Sequence, residues 1–135
     1  MRTFILFFIF IELISQDKAV FTSQDQDAEF RTLVFADEFE YEGRPDNQKW
    51  HHQIIPPNNG SWYNDELQHY TDSEENSYAN NGTLKIKAIK EQYSYNGSTK
   101  EYTSARLNSK FIFTYGRVEV RAKLPSTAGT WPAIW

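Results

Sequence analysis

The sequence predicts an all-β domain built as a sandwich or barrel. Three observations favour this class: short runs with the two-residue period of strands, turn residues between those runs, and no helical pattern of useful length. The clearest run is 117–124, where apolar Val118, Val120 and Leu124 alternate with charged residues. Such alternation is typical of an antiparallel strand with one buried and one solvated face.

The chain opens on a short apolar run at residues 4–11. A transmembrane anchor needs about 18 or more apolar residues, so the run favours a secretory signal peptide. We predict a signal peptide over residues 1–15, cleaved after Ser15 or as late as about Ala19, and a protein secreted to the extracellular space or periplasm. Residues 16–30 are polar and lack periodicity, which predicts a flexible leader.

From residue 31 the chain alternates strands with turns. Residues 33–35 predict a first strand, and residues 43–47 and 56–60 are loops rich in Gly, Pro and Asn. The stretch 81–88, NGTLKIKA, predicts a turn into a strand, and residues 95–98 predict another turn. The inward side chains of the 81–88 strand are expected to be Leu84, Ile86 and Ala88.

Length and composition limit the function classes. The 135 residues amount to one domain at most. The 14 Lys and Arg residues are outnumbered by 18 Asp and Glu and form no basic run, so the footprint of a nucleic-acid-binding protein is missing. The absence of Cys excludes disulfides, thiolate zinc sites and Cys nucleophiles from the chain. With a formal net charge of −4 and no basic run, a neutral or weakly charged ligand fits better.

Residues of catalytic type form no catalytic pattern. The acidic pairs at 37–38, 65–66 and 74–75 are sequence neighbours, and neighbours on a strand point to opposite faces. The histidines His51, His52 and His69 lack metal-ligand spacing with a third donor, which favours ordinary structural or surface roles. We therefore predict no catalytic residue in this chain.

Two features of the C-terminal third could serve a sugar ligand. Arg106 and Asn108 alternate with Leu107, so their polar side chains project away from its face. Either they form a solvated outer face or they bind hydroxyl groups. Trp131 and Trp135 flank a short Pro-containing segment, and each could pack in the core or stack on a sugar ring.

Four runs carry a family resemblance: LVFADEF at 33–39, WYNDELQHYT at 62–71, NGTLKIKA at 81–88 and residues 102–135. Together they resemble glycoside hydrolase family 16, and its laminarinase branch of endo-β-1,3-glucanases most closely. The resemblance implies a jelly-roll β-sandwich of two curved antiparallel sheets with a glucan cleft on the concave side. It also implies retaining hydrolysis by a nucleophilic carboxylate and an acid/base carboxylate.

The sequence departs from the family pattern at the catalytic motif. Those carboxylates belong to an E-x-D-x-x-E-type motif on a strand expected after WPAIW, which this sequence does not reach. We therefore expect residues 31–135 to be the N-terminal part of an incomplete jelly roll and to be inactive as given. By resemblance, sugar binding falls to Asn64, Arg106, Trp131 and Trp135. Many family members carry a structural Ca²⁺, whose resembling ligands here are Glu38 and the carbonyl of Gly82; the chemistry itself requires no cofactor.

Alternative functions stay open at this point. The resemblance implies a secreted glycosidase acting on β-1,3-glucan in carbohydrate metabolism. Some secreted relatives have lost the catalytic carboxylates and bind β-glucan as recognition proteins, and the chain could also be a fragment with no function of its own. In each functional case the expected partner is a polysaccharide, with no nucleic acid, no membrane after signal cleavage, and a monomeric complete protein.

Overall fold

The computed structural model describes the backbone of residues 9–12 together with residues 31–58 and 60–134. All regular secondary structure in these ranges is β-strand, which confirms the all-β prediction. None of these residues lies in a helix long and apolar enough to cross a membrane. The predicted leader 16–30 and most of the predicted signal peptide lie outside the described ranges.

The described residues form nine short strands. In chain order they are β1 Ile9–Glu12, β2 Trp50–His52, β3 Gln68–Tyr70, β4 Ser77–Asn80, β5 Thr83–Ile86, β6 Ile89–Tyr95, β7 Ser98–Ser104, β8 Leu107–Ser109 and β9 Ala122–Lys123.

The strands assemble into three sheets with the orders β4-β5-β1-β9, β2-β8 and β3-β7-β6. In the first sheet the backbone of β1 pairs antiparallel with both β5 and β9. The apolar run that predicts a signal peptide thus contributes a strand in this structure, and its secretory role stays a prediction.

One pairing corrects the expectation of purely antiparallel sheets. Strands β3 and β7 run parallel, with Gln68 opposite Tyr102 and Tyr70 opposite Ser104. The physical reason is the long connection through β4, β5 and β6, which brings the chain back beside β3 in the same direction. A parallel pair requires such a crossover, whereas adjacent strands in sequence can pair through a tight turn.

Tight turns occur where the sequence predicts them. Strands β4 and β5 are joined at Asn81 and Gly82, with φ of 52° and 66°, and β6 and β7 at Asn96 and Gly97, with φ of 46° and 79°. Two consecutive residues of positive φ suit the right-handed twist of a hairpin, and Asn-Gly is the preferred pair. The predicted turns at 81–82 and 95–98 are confirmed.

The core lies over the β4-β5 hairpin. It contains five buried side chains, which are Phe39, Ala79, Leu84, Ile86 and Ala105. Partly buried residues packed against it are Tyr41, Trp50, Leu107 and Ala122. The predicted inward positions Leu84, Ile86 and Ala88 are all buried, because alternation along β5 places one set of side chains on the core.

Two predicted strands are wrong. Residues 33–35 form no strand, and within 117–124 only Ala122–Lys123 is a strand. Val118 is 63% exposed and Leu124 is 53% exposed, although their alternation predicts burial. An alternating pattern produces a half-buried strand only where a sheet or helix covers its apolar face. None of the described strands covers these side chains.

A buried carboxylate fixes the segment that leads into the core. Asp37 accepts hydrogen bonds from the Trp50 indole at 2.6 Å, the Tyr41 hydroxyl at 3.1 Å and the Phe39 backbone N–H at 3.2 Å. The Lys49 ammonium lies 3.3 Å from the same carboxylate. Burial, reinforced by the Asp37 charge, raises the pKa of Tyr41 to about 12, so its hydroxyl stays a donor. The complete set of partners compensates for burying the charge.

We predict that residues 20–135 alone aggregate and lack a cooperative thermal transition. Ile112 is 89% exposed and Tyr115 is 87% exposed, and uncovered apolar faces and strand edges promote association. Differential scanning fluorimetry and light scattering provide the measurements. A variant with Ile112→Ser and Tyr115→Ser is the control and should scatter less. A soluble monomer of residues 20–135 with a sharp two-state melt would contradict the prediction.

Candidate functional site

A strained turn precedes β3 and presents Asn64 to solvent. Asn64 and Asp65 both adopt left-handed backbone, with φ of 61° and 53°. Both side chains are exposed. Asn and Asp tolerate this conformation better than other non-glycine residues, which explains why they occupy these two positions.

The N-terminal side of this turn is anchored by Trp62. Its buried indole N–H donates to Nδ1 of His69 at 3.3 Å, and its ring meets Tyr70 edge-on at 4.7 Å between centroids. His69 Nε2 donates in turn to the carbonyl of Ser98 at 3.0 Å. Both ring nitrogens of His69 are therefore used in the Nε2–H tautomer, which agrees with the predicted structural role.

His52 also has a structural contact. Its Nε2 lies 2.8 Å from the Ser77 hydroxyl. Burial lowers the pKa of His52, while the nearby Asp72 carboxylate opposes that shift. Across the described ranges no group of three or more His, Cys, Asp or Glu side chains could hold a metal ion.

A connected set of polar side chains follows the turn along β3. Gln68 donates from Nε2 to the Tyr70 hydroxyl at 2.8 Å and to Glu66 Oε2 at 3.3 Å. Burial raises the pKa of Tyr70 well above its ordinary range, the Glu66 charge adds to the rise, and the Arg106 charge opposes it. We call the hydrogen-bonded side chains of Glu66, Gln68 and Tyr70 the polar cluster. Arg106 acts on this cluster through its charge.

The parallel pairing of β3 with β7 explains how Arg106 reaches this cluster. Tyr70 lies opposite Ser104, and the Thr71 N–H donates to the Ser104 carbonyl at 2.9 Å. Arg106 follows two residues later, with its own carbonyl accepting from the Gln53 N–H at 2.9 Å. The parallel pairing thus places Ser104, two residues before Arg106, opposite Tyr70.

The sequence prediction missed Glu66, Gln68 and Tyr70. Their spacing in the sequence was a usable signal, because residues two apart, such as Glu66, Gln68 and Tyr70, share one face of an extended segment. In the structure residues 62–66 form a turn, and the strand covers only Gln68–Tyr70. Glu66, which the sequence presents as half of an acidic pair, accepts a hydrogen bond from Gln68.

The predicted tryptophans are less closely tied to the cluster. Trp131 is 53% exposed and lies beyond β9, outside the described strands. Trp135 lies outside the described residues. The structure therefore brings Arg106 to the polar cluster and places Asn64 on the turn preceding it, while Trp131 stands on a separate segment.

The two predicted calcium ligands are neighbours in the fold. The Glu38 carbonyl oxygen lies 3.9 Å from the point where a Cβ on Gly82 would be. Glu38 Oε2 is buried and has no hydrogen-bond partner. Oxygen donors suit Ca²⁺, and a buried unpartnered carboxylate oxygen is the type of atom that a cation satisfies. The residues therefore fit a calcium ion in donor chemistry.

Members of two of the acidic pairs have partners within the chain. Asp37 is held by four donors inside the fold. Glu74 faces Arg44 at 3.5 Å on the surface. What the polar cluster offers is hydrogen-bond donors and acceptors near an exposed turn, an arrangement suited to hydroxyl groups.

Comparison with known proteins gives consistent matches. The model of the family described as beta-glucan synthesis-associated protein SKN1/KRE6/Sbg1 matches residues 5–135. A beta-glucanase of Rhodothermus marinus is 48% identical over 106 residues, covering 76% of this chain and 35% of that protein. A beta-1,3-glucan-binding protein of Penaeus monodon is 63% identical over 35 residues, covering 24% of this chain and 10% of that protein.

Solved structures agree with the sequence relatives. LamAcat from Zobellia galactanivorans superposes with a TM-score of 0.62 at 73% identity, covering 64% of this chain and 34% of that one. LamA of the same organism was also crystallised with laminaritriose and laminaritetraose. This chain spans about a third of the length of the beta-glucanase and LamAcat.

Proposed function

We propose that the chain forms the N-terminal part of an endo-β-1,3-glucanase. It belongs to the family described as beta-glucan synthesis-associated protein SKN1/KRE6/Sbg1 and to the laminarinase-like proteins of glycoside hydrolase family 16. The polar cluster carries the proposal, since it lies inside the matched stretch and offers hydrogen bonds beside the exposed Asn64. The proposed substrate is a laminarin-like glucan, and the proposed chemistry is hydrolysis with retention of configuration.

The proposed work of this chain is to bind the sugar. A glucose unit has hydroxyl groups around its rim and apolar C–H faces. Arg106 and Asn64 supply polar groups for the rim, and the half-exposed Trp131 supplies a ring face for stacking. The neutral hydroxyl of Tyr70 and the amide of Gln68 hold each other in place through their hydrogen bond.

Catalysis by the retaining route requires two carboxyl groups about 5–5.5 Å apart on either side of the glycosidic bond. Asp37 is committed to the core and Glu66 to Gln68. We therefore assign no catalytic residue to this chain and attribute the nucleophile and the acid/base to the remaining two thirds of the domain.

A second candidate is a non-catalytic β-glucan-binding protein. The observation that favours it is the match to the glucan-binding protein of Penaeus monodon. Binding and hydrolysis would use the same sugar contacts from this chain. The two functions differ in the catalytic carboxylates of the remaining domain, so only an activity measurement separates them.

We also propose where the complete protein is located and what it binds. The short apolar run at residues 4–11 supports a cleaved signal peptide and secretion. The acidic charge balance and the absence of a basic run support a polysaccharide partner rather than nucleic acid. We propose that the complete protein acts as a monomer.

A structural Ca²⁺ is also proposed, held by the Glu38 carboxylate and carbonyl and by the Gly82 carbonyl. The buried unpartnered oxygen of Glu38 supports it. The ion would stabilise the link between the segment before Phe39 and the β4-β5 turn, and it would take no part in the chemistry.

We predict that this chain alone releases no sugar from laminarin. The test compares residues 20–135 with the same residues joined to the remaining segment of LamAcat, which we call the completed domain. The completed domain should release reducing ends, and NMR of the first product should show retained anomeric configuration. Reducing sugar from residues 20–135 free of host glucanase would contradict this prediction, and binding without release by the completed domain would favour the recognition protein.

We predict that Arg106→Ala weakens laminarioligosaccharide binding by the completed domain with little change in melting temperature. Trp131→Ala should cost about 1–3 kcal/mol of binding free energy if its ring stacks on a sugar. Arg44→Ala is the matched control, because Arg44 faces Asp72 and Glu74 on the surface. Calorimetric titration gives the affinities. A lower melting temperature with unchanged affinity would assign either residue to packing.

We predict that Ca²⁺ raises the melting temperature of the completed domain and that Glu38→Gln removes the effect. A ligand at 100 times its dissociation constant stabilises the folded state by about 2.7 kcal/mol. Glu40→Gln is the matched control, because Glu40 is an exposed carboxylate two residues away. An equal Ca²⁺ shift in the Glu38→Gln variant would reject this site.

A further inference from the structure

The turn that presents Asn64 needs a restraint. Two consecutive non-glycine residues, Asn64 and Asp65, adopt left-handed backbone, a conformation that disfavours residues with a Cβ. The backbone bond that closes the turn, from the Glu66 N–H to the Tyr63 carbonyl, is long at 3.4 Å. Trp62 fixes the turn where it begins, so a restraint is needed near Glu66, where it ends.

Lys100 supplies a contact at that end. It lies on β7, and its ammonium donates a hydrogen bond to the carbonyl oxygen of Glu66. The side chain is half-buried. Burial lowers the pKa of Lys100, while the carboxylates of Glu66 and Asp65 oppose the shift and favour the charged form.

The contact is more specific than a surface ion pair. The Glu66 carboxylate accepts from Gln68 within the polar cluster, whereas the Lys100 ammonium meets the Glu66 main chain. A charge-assisted hydrogen bond to a carbonyl fixes backbone position, which an exposed ion pair between flexible side chains does not.

We propose that Lys100 is a positioning residue that holds the Asn64 and Asp65 turn in its left-handed conformation and so presents Asn64 to the glucan. The inference rests on the proposed function, because it takes Asn64 to be a sugar contact. Lys100 itself touches no sugar and acts only on the turn. The interaction is long-range in sequence, joining β7 to the turn before β3.

The first experiment measures the restraint without any ligand. In the completed domain, Lys100→Met keeps the alkyl stem and removes the donor. Amide hydrogen exchange at residues 63–67 should accelerate at least severalfold. Lys110→Met is the matched control, because Lys110 also donates to a main-chain carbonyl, that of Asn47 at 2.6 Å, but away from the polar cluster. Unchanged exchange at 63–67 in Lys100→Met would overturn the proposal.

The second experiment measures the consequence for sugar binding. Lys100→Met should raise the dissociation constant for laminaritetraose about three- to tenfold, the range of one lost hydrogen bond. KM should rise with it while kcat changes little. In an Asn64→Ala background the same substitution should have no further effect, because Lys100 acts through Asn64. Additive losses would overturn the positioning role.

A rescue separates conformational restraint from simple loss of charge. Glycine adopts left-handed backbone freely, so Asp65→Gly should restore much of the affinity lost in Lys100→Met. Failure of this rescue, with accelerated exchange at 63–67, would show that Lys100 acts by its charge and would overturn the proposal.

If the unsubstituted completed domain fails to bind laminaritetraose, the proposed function is wrong, and the presentation of Asn64 to a glucan is wrong with it.

Discussion

The buried Asp37 carboxylate is the interaction on which the described fold depends. A charge removed from water must be matched by donors, and Asp37 gathers them from the Trp50 indole, the Tyr41 hydroxyl and the Phe39 N–H. These bonds hold Phe39 in left-handed backbone at φ 53° and direct its ring into the core. The same bend brings Glu38 beside the β4-β5 turn. The hydrogen bonds of Asp37 therefore position both the core and the proposed calcium site.

A second polar network joins the chain before β4 to β7 and to the chain just after β3. Asn76 is fully buried, and its amide donates to Thr103 Oγ1 at 3.0 Å and to the Lys87 carbonyl at 3.3 Å. The Thr71 hydroxyl, just after β3, donates to the side-chain amide oxygen Oδ1 of Asn76. Satisfied buried networks of this kind specify one arrangement of neighbouring strands. The polar cluster is therefore built on strands whose relative position is already fixed.

Local signals were readable from the sequence, and long-range ones were not. The Asn-Gly turns and the burial of Leu84 and Ile86 follow from φ preferences and two-residue alternation, and both predictions were confirmed. The parallel pairing of β3 with β7 depends on a crossover that no local pattern encodes. Burial of Val118 and Leu124 depends on a covering layer rather than on alternation itself. Arg106 was identified by resemblance, whereas its neighbours Gln68 and Tyr70 required the structure.

We propose that the turn at Asn64, the polar cluster and Arg106 form part of a glucan-binding wall. The most direct test is an NMR titration of the completed domain with laminaritriose, following the side-chain amides of Asn64 and Gln68 and the Nε–H of Arg106. We expect saturable shifts at Asn64 and Arg106, with smaller shifts at Gln68, whose amide is held by Tyr70 and Glu66. Saturable binding that leaves all three side chains unshifted would show that this surface does not bind the glucan.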